Sequence, residues 1–338
     1  MEEAVELLEL FGTDRKIAML RYAAVSGCLL LALVAPTWGG EVVESLKPNL
    51  MNHYTFDDPK DGDAKSPVEL DLGSDKTNIN LLNGAPRVED GAWPGSKYSL
   101  ETGQKNVKPN DDWKAGIMFK SSAESTLKGS QHVTALTIMG WFKPLGTVAD
   151  NPSLNTTTTA PGDKYNAFGL AGLLRGDEGV TGLDGHAVRG LLEVIGGKVT
   201  VMGRRLDSQS GSGQRASTEN WEVVMPPNQW THIAGTIDFE TGAMALYKNG
   251  KPLASSAATV TNWQLKAGEK NFTSNTAAGG IKIGGSFPDN SVERNPFNGR
   301  IDELMFFNKA LTAEEVEAQF KLISAGAEAS ATAPATGR

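Results

Sequence analysis

Short runs of alternating apolar and polar residues, separated by clusters of Gly, Pro, Asn and Asp, fill the chain from Leu50 to Phe307. Alternation with a period of two is typical of strands that bury one face. Many short strands with turn residues between them predict an antiparallel β-sandwich or a barrel. The predicted strands are Met51–Phe56, Ser96–Glu101, Gly116–Lys120, Ala135–Pro144, Phe168–Arg175, Val188–Ile195, Lys198–Leu206, Trp230–Phe239, Ala243–Lys248, Gly280–Gly285 and Gly299–Phe307.

The stretch from Asn228 to Lys251 predicts three consecutive antiparallel strands. Its Asn249-Gly250 dipeptide is favoured in a type I′ hairpin turn, where both residues need a positive φ. His232 lies in the first of these strands, without a second His or a Cys nearby in sequence. We therefore interpret His232 as a packed, hydrogen-bonded strand residue and this stretch as scaffold.

One helix is predicted, at the end of the domain. Thr312 and Glu315 form a capping-box pattern, and Leu311 is placed to contact Val316 across the helix start. After Ser324 the chain contains mainly Ala, Ser, Thr and Pro, so residues 324–338 are predicted to be a disordered tail.

Three long polar loops interrupt the strand pattern, at Gly146–Asn166, Asp207–Asn220 and Asn262–Gly280. Long loops within a domain often form functional rims, although they can also be simple insertions. We therefore expect any ligand rim to involve them.

Composition and charge exclude some classes of function. The hydrophobic content of 39% is sufficient for a core, and the net charge of −8 with no Lys/Arg cluster argues against nucleic-acid binding. The single cysteine, Cys28, precedes the expected cleavage region, so the mature chain is expected to have no disulfide.

The N-terminus resembles a secretory leader. The apolar run Tyr22–Ala35, at roughly 14 residues, is shorter than the ~20 needed to span a bilayer, and basic residues precede it. Cleavage is expected between Ala35 and Gly40, with Met1 or Met19 as the start. The alternatives are an amphipathic helix with a membrane anchor and lipidation at Cys28. We expect residues 1–40 to be a leader, no membrane span in the mature chain, and a secreted, periplasmic or cell-envelope location.

Three stretches together resemble the LamG-like, concanavalin A-like lectin/glucanase jelly roll in its bacterial secreted form. They are Asn52–Asp58, then Ala135–Pro144 with Asn228–Lys251, and last Phe297–Val316. The resemblance spans 50–323 and implies an all-β, antiparallel two-sheet jelly-roll sandwich, with adjacent first and last strands. One short C-terminal helix completes the domain, which we expect to cover residues 41–323.

Some relatives of this fold hold a structural calcium ion where the first and last strands meet. Asp57 and Asp302 could converge there with backbone carbonyls, because Ca²⁺ prefers oxygen ligands. Asp58 is a weaker candidate than Asp57. An ion pair of Asp302 with Arg300, or hydrogen bonds to loop amides, would explain Asp302 without a metal.

An enzyme is the least favoured class. Laminarinase-type hydrolases of this fold need two carboxylates on one face of a strand, and a retaining pair lies about 5 Å apart. Asp302 and Glu303 are expected on opposite faces of their strand. No other nucleophile or zinc motif is present in the sequence.

The favoured function is non-catalytic recognition outside the cytoplasm, with a glycan as ligand. Aromatic and amide side chains usually form sugar sites, so the predicted ligand rim is Trp221, Trp263, Asn262 and Gln264. The alternative is a structural or adhesion module that binds a protein on the cell surface or in the envelope.

Overall fold

The computed structural model describes residues 40–81, 85–102, 117–118, 133–150, 154–157, 167–174, 185–205, 213–256, 270–272, 280–284 and 297–331. All of these residues belong to one unit, Trp38–Arg338. Residues 1–39 of the predicted leader lie outside the described residues. Within the described residues, no helix is both long and apolar enough to cross a bilayer.

Strands dominate the described residues. In chain order they are β1 (Leu50–Tyr54), β2 (Val68–Glu69), β3 (Ile79–Asn80), β4 (Arg87–Val88), β5 (Ser99–Glu101), β6 (Ile117–Met118), β7 (Ala135–Pro144), β8 (Ala167–Leu174), β9 (Gly185–Ile195), β10 (Lys198–Arg205), β11 (Gly213–Asn220), β12 (Thr231–Asp238), β13 (Met244–Lys248), β14 (Lys251–Ser255), β15 (Lys270–Phe272), β16 (Gly280–Ile283) and β17 (Gly299–Phe307). The helical segments are a 3₁₀ helix (Glu44–Asn49), α1 (Trp221–Val224) and α2 (Ala313–Ala331).

Two large sheets form the sandwich. The first has the order β14-β13-β12-β7-β17-β5-β4, and β1 also pairs with β17. The second has the order β11-β10-β9-β8-β16-β6, and β15 pairs with β9. All pairs are antiparallel except β15 with β9. The predicted antiparallel two-sheet fold and the pairing of the first and last strands are therefore confirmed.

Alternation along each strand places the core between the sheets. On β12, Ile233 and Ile237 are buried against β10 residues such as Val201. Gly235 lies between those isoleucines, and a Cβ there would be 2.8 Å from a methyl carbon of Val201. The sheets therefore approach so closely at this point that only glycine fits.

A second apolar cluster lies on the opposite face of the first sheet. Met139, Trp141 and Ala234 contribute from the strands, and Val316 and Ile323 of α2 are part of the same cluster. The helix begins as predicted: the Thr312 backbone N–H donates to Glu315 Oε2 (3.0 Å), and the Glu315 N–H donates to the Thr312 hydroxyl oxygen (3.3 Å). The capping box thus fixes where α2 begins over this face.

Three local predictions have clear outcomes. Asn249 and Gly250 have φ values of 49° and 75°, which confirms the tight hairpin turn. The predicted loop Asp207–Asn220 is wrong at its end, because Gly213–Asn220 forms β11. The helix α2 continues to Ala331, past Ser324, where a disordered tail was predicted.

Candidate functional site

A bulge in β17 determines the geometry of the candidate site. The pairing of β17 with β7 shifts register between Asp302 and Met305, and Glu303 has a φ of 49°. This left-handed conformation is costly for a residue with a Cβ, so neighbouring contacts must hold it. The bulge turns both Asp302 and Glu303 toward the segment that contains Ala92 and Trp93. The prediction that these carboxylates point to opposite faces is therefore wrong, because the strand is not regular here.

The Glu303 carboxylate is buried and accepts hydrogen bonds on both oxygens. Its Oε2 lies 2.7 Å from His53 Nε2 on β1. Its Oε1 accepts from the Gly40 backbone N–H (2.8 Å) and from Trp93 Nε1 (3.2 Å). Glu303 therefore joins the last strand to the first strand, to the 85–102 segment and to the start of the described chain.

Asp302 is fully buried and is held by backbone amides. Its Oδ2 accepts from the Ala92 N–H at 2.7 Å, and its Oδ1 accepts from the Glu303 N–H at 2.8 Å. Burial first, and then the Glu303 carboxylate, raise the pKa of Asp302 well above its usual value. Arg300 does not pair with Asp302; it contacts Asp90 and Glu101 instead.

Asp57 comes close to the same cluster from the end of β1. Its carboxylate accepts from the backbone N–H groups of Lys97 (3.1 Å) and Tyr98 (2.7 Å). Burial raises the pKa of Asp57, these amides lower it, and the Glu303 charge raises it further. The Asp57 charge in turn contributes to the raised pKa of Asp302. The structure therefore brings the two predicted metal ligands into one electrostatic cluster.

Ser96 lies near both predicted ligands. Its hydroxyl donates to the Tyr98 carbonyl oxygen at 3.0 Å, and its side chain is close enough to Asp57 and to Asp302 to lower the pKa of each carboxyl. Asp58 is bonded elsewhere, to the Thr55 hydroxyl at 2.8 Å. Across the described ranges, no three or more His, Cys, Asp or Glu side chains are arranged as metal ligands. A cation here would therefore need backbone oxygens in addition to the two carboxylates.

The predicted ligand rim is described only at Trp221. This residue is 3% exposed, and its ring meets the Phe168 ring edge-on at a centroid distance of 5.6 Å. Trp221 is thus a core residue and offers no ring face to solvent. Asn262, Trp263 and Gln264 lie outside the described residues.

His232 is a scaffold residue, as predicted, but its hydrogen bonding differs from the prediction. It is 1% exposed and packs against the rings of Trp141 (5.5 Å) and Phe320 (5.4 Å). Neither ring nitrogen has a hydrogen-bond partner among the described residues. Burial lowers the pKa of His232 to about 3, so the imidazole is neutral at ordinary pH.

Sequence reasoning missed four members of the cluster: His53, Trp93, Ser96 and Glu303. The loop residues carry no motif that separates them from ordinary turn residues. The detectable signal was the adjacent pair Asp302-Glu303 inside an otherwise apolar strand, since buried charges need partners.

Comparison with known proteins agrees with this architecture. Residues 197–317 match the family model described as the concanavalin A-like lectin/glucanases superfamily, Laminin_G_3. The matched region contains the whole of the Asn228–Lys251 and Phe297–Val316 stretches, on which the resemblance partly rests, whereas Asn52–Asp58 and Ala135–Pro144 lie outside it. That resemblance is therefore confirmed. No curated protein matches the sequence.

Several solved structures share the fold at low sequence identity. The binding domain of Paraclostridial Mosquitocidal Protein 1 is 17% identical, with a TM-score of 0.50, and the match covers 82% of this chain and 52% of that one. The binding domain of botulinum neurotoxin DC, solved in complex with rat synaptotagmin II, is 11% identical, with a TM-score of 0.51 and coverage of 82% and 52%. The botulinum neurotoxin serotype G binding domain is 13% identical, with a TM-score of 0.50 and coverage of 80% and 50%. The chain thus spans about half the length of these structures.

Proposed function

We propose that this protein is a non-catalytic recognition module that acts outside the cytoplasm and binds a glycan. The proposal rests on the groups that the clustered carboxylates contact. Asp57, Asp302 and Glu303 accept hydrogen bonds from the backbone or from buried side chains, which join separate segments of the fold. A general acid or nucleophile must instead reach a substrate. The contacts of the three carboxylates are therefore those of a scaffold for binding.

The distribution of exposed apolar side chains favours a glycan over a protein partner. Among the described residues the exposed large hydrophobics are Leu72, Val223 and Leu253, which lie on separate elements. Protein-binding surfaces usually contain a contiguous apolar patch. The solved structures with this fold are described as binding domains, one of them in complex with a protein, so a protein ligand is the alternative outcome of the test.

The ligand rim is proposed to be the loop that carries Asn262, Trp263 and Gln264. An aromatic side chain flanked by amides provides a stacking surface and hydrogen-bond groups for sugar hydroxyls. Trp221 is left out of this rim because it is buried.

Binding of the full-length protein to a polysaccharide panel tests the proposal. We expect retardation in affinity electrophoresis on at least one polysaccharide, and a weakening of about tenfold for Trp263→Ala if one stacking contact of about 1.4 kcal/mol is lost. Leu253→Ala is the matched control, because Leu253 is an exposed apolar residue of β14 and is not one of the proposed rim residues. A folded protein that binds no polysaccharide would refute the glycan proposal and favour a protein ligand.

We also propose that a structural calcium ion is bound at Asp57 and Asp302. Support comes from the convergence of two hard oxygen donors and from the raised pKa of each carboxyl. Burial is the main cause of both rises and neighbouring carboxylates add to them, and a nearby cation would relieve both effects. The ion would stabilise the junction of β1, β17 and the segment around Ala92, with no role in chemistry.

Thermal unfolding of the full-length protein with calcium and with EDTA tests the calcium site. Saturating the site at 100 times its Kd should stabilise the folded state by about 2.7 kcal/mol. Asp302→Asn should abolish the calcium-dependent rise in Tm. Asp150→Asn, which alters an exposed carboxylate bonded locally to Thr147, should leave it unchanged. Equal Tm values with calcium and EDTA for the wild type would refute the site.

A further inference from the structure

The first described residues are held by two buried side chains. The Gly40 N–H donates to Glu303 Oε1 at 2.8 Å. The Gln319 amide of α2 donates from Nε2 to the Glu41 carbonyl (2.8 Å) and accepts at Oε1 from the Val43 N–H (2.9 Å). Gln319 is fully buried. The segment Gly40–Val43 is therefore docked by specific contacts on both sides.

Gly40 fits against the carboxylate because it has no side chain. A Cβ at this position would be 2.2 Å from Glu303 Oε2 and 2.6 Å from its carboxyl carbon. These distances are shorter than any ordinary contact, so a side chain at residue 40 would push the Glu303 carboxylate away from the backbone nitrogen. The contact between Gly40 and Glu303 therefore depends on glycine at this position.

Basic side chains supply little positive charge to the carboxylates at this site. Asp57, Asp302 and Glu303 interact electrostatically with one another. Within the described part of the chain, the one basic side chain that contacts any of them is His53, at Glu303. A buried carboxylate is stable only when it is paired and hydrogen-bonded. A cation at the Gly40 nitrogen would supply that pairing directly.

We propose that the chain is cleaved between Gly39 and Gly40 and that the new α-ammonium group of Gly40 forms a buried ion pair with Glu303. A leader-removing peptidase would hydrolyse this peptide bond with one water molecule, which leaves a carboxylate on Gly39 and an ammonium on Gly40. The residues before the bond suit such an enzyme, since Gly39 and Thr37 are small. This inference rests on the proposed extracytoplasmic location.

Cleavage changes the strength of an existing contact. In the uncleaved chain the Gly40 nitrogen is a neutral amide with one hydrogen. After cleavage it carries a charge and three donors, and charge-assisted hydrogen bonds are roughly twice as strong as neutral ones. Processing would therefore stabilise the junction of Gly40, Trp93, His53 and Glu303 without any rearrangement.

The first test is the N-terminus of the exported protein. The full-length chain is expressed with its own leader in a secreting bacterium, and the exported product is analysed by intact mass and N-terminal sequencing. The expected first residue is Gly40. An exported protein with any other first residue refutes the inference while leaving the proposed location intact. A product that stays in the cytoplasm with its leader refutes both.

The second test measures access to the α-amine of the exported protein. An aldehyde selective for N-terminal amines, 2-pyridinecarboxaldehyde, should label the folded protein about tenfold or more slowly than the urea-unfolded protein, as for one charged hydrogen bond. Glu303→Gln should restore fast labelling in the folded state. Glu317→Gln is the matched control, since Glu317 pairs only with Lys251 and Lys321 among the described residues.

The outcomes separate the ion pair from other effects. Fast labelling of the folded wild type refutes it and needs no variant, so a Glu303→Gln protein that fails to fold does not weaken the test. Labelling is repeated with EDTA. Slow labelling that persists without calcium supports the ion pair, and protection lost with EDTA refutes it in favour of the metal.

Discussion

The neutral, buried state of His232 predicts a specific loss of stability in acid. Burial lowers the pKa of this imidazole from 6.5 to about 3. In the unfolded chain the same group takes up a proton near pH 6.5. Between these values the unfolded state binds one more proton than the folded state, so the free energy of unfolding falls as the pH falls.

The magnitude follows from the two pKa values. Each pH unit below 6.5 removes about 1.4 kcal/mol of stability through this one group. The loss is therefore about 2 kcal/mol at pH 5 and about 4 kcal/mol at pH 3, and it levels off near 5 kcal/mol, on the order of the full pKa difference, in stronger acid. A typical domain has a total of only about 5–15 kcal/mol, so His232 alone would make the protein sensitive to acid.

The assay compares wild type with His232→Leu in urea unfolding at pH 7.5, 6.5, 5.5 and 4.5. Leucine keeps an apolar side chain of similar size between Trp141 and Phe320, and it cannot take up a proton. All carboxylates titrate in both proteins, so the difference between the two pH profiles isolates His232. The stability of the variant should fall less steeply, by about 1.4 kcal/mol per pH unit below pH 6.

Parallel pH profiles would refute the reasoning. They would mean that His232 reaches water or a partner in the folded protein and titrates there near its ordinary pKa. A constant offset between the curves would report only the packing change at this position. The slope is therefore the decisive quantity.

Three further substitutions test other parts of the fold by urea unfolding. Arg87→Ala should lower the free energy of unfolding by about 3–5 kcal/mol, because it leaves the buried Glu69 carboxylate without its partner. The control, Lys97→Ala, alters an exposed ion pair and should cost no more than about 1 kcal/mol. Equal costs for the two substitutions would contradict the burial argument. Gly235→Ala should destabilise by about 1–3 kcal/mol, since its Cβ would collide with a valine of the facing sheet; an unchanged midpoint would show that the sheets can separate freely. Gln319→Ala should cost about 1–3 kcal/mol and speed limited proteolysis near residue 43, because it removes the two hydrogen bonds that Gln319 makes with Glu41 and Val43. Unchanged cleavage would show that other contacts are sufficient to hold the segment.

Hydrophobic periodicity was sufficient to locate most strands. β7 and β17 have the bounds that the sequence predicts, since each combines β-branched and aromatic residues with clear turn signals. β11 was missed because its sequence, GQRASTEN, is almost wholly polar. It is an edge strand, and among its residues with described burial the buried ones are the small Ala216 and Thr218, so its composition shows little sign of a buried face.

The candidate site was predicted in part. The convergence of Asp57 and Asp302 followed from the adjacency of the first and last strands, which the resemblance implied. The place of Glu303 could not be predicted, because Asp302-Glu303 lies in a run that looks like regular alternation. The bulge is a property of pairing, since β17 changes its partner there from β5 to β1.

The position of β17 between β7 and β1 determines how much of the chain must be synthesised before the protein can fold. The partners His53 and Glu303 are 250 residues apart in the sequence, so loops of nearly the whole chain must close before the first sheet is complete. The β12–β14 meander pairs neighbouring segments and can form early. A nascent chain that ends before Gly299 would leave the pairing edges of β1 and β7 open. Completion of the fold must therefore await synthesis of nearly the whole chain, and until then the chain remains in a form that can still be threaded, bound by chaperones or degraded.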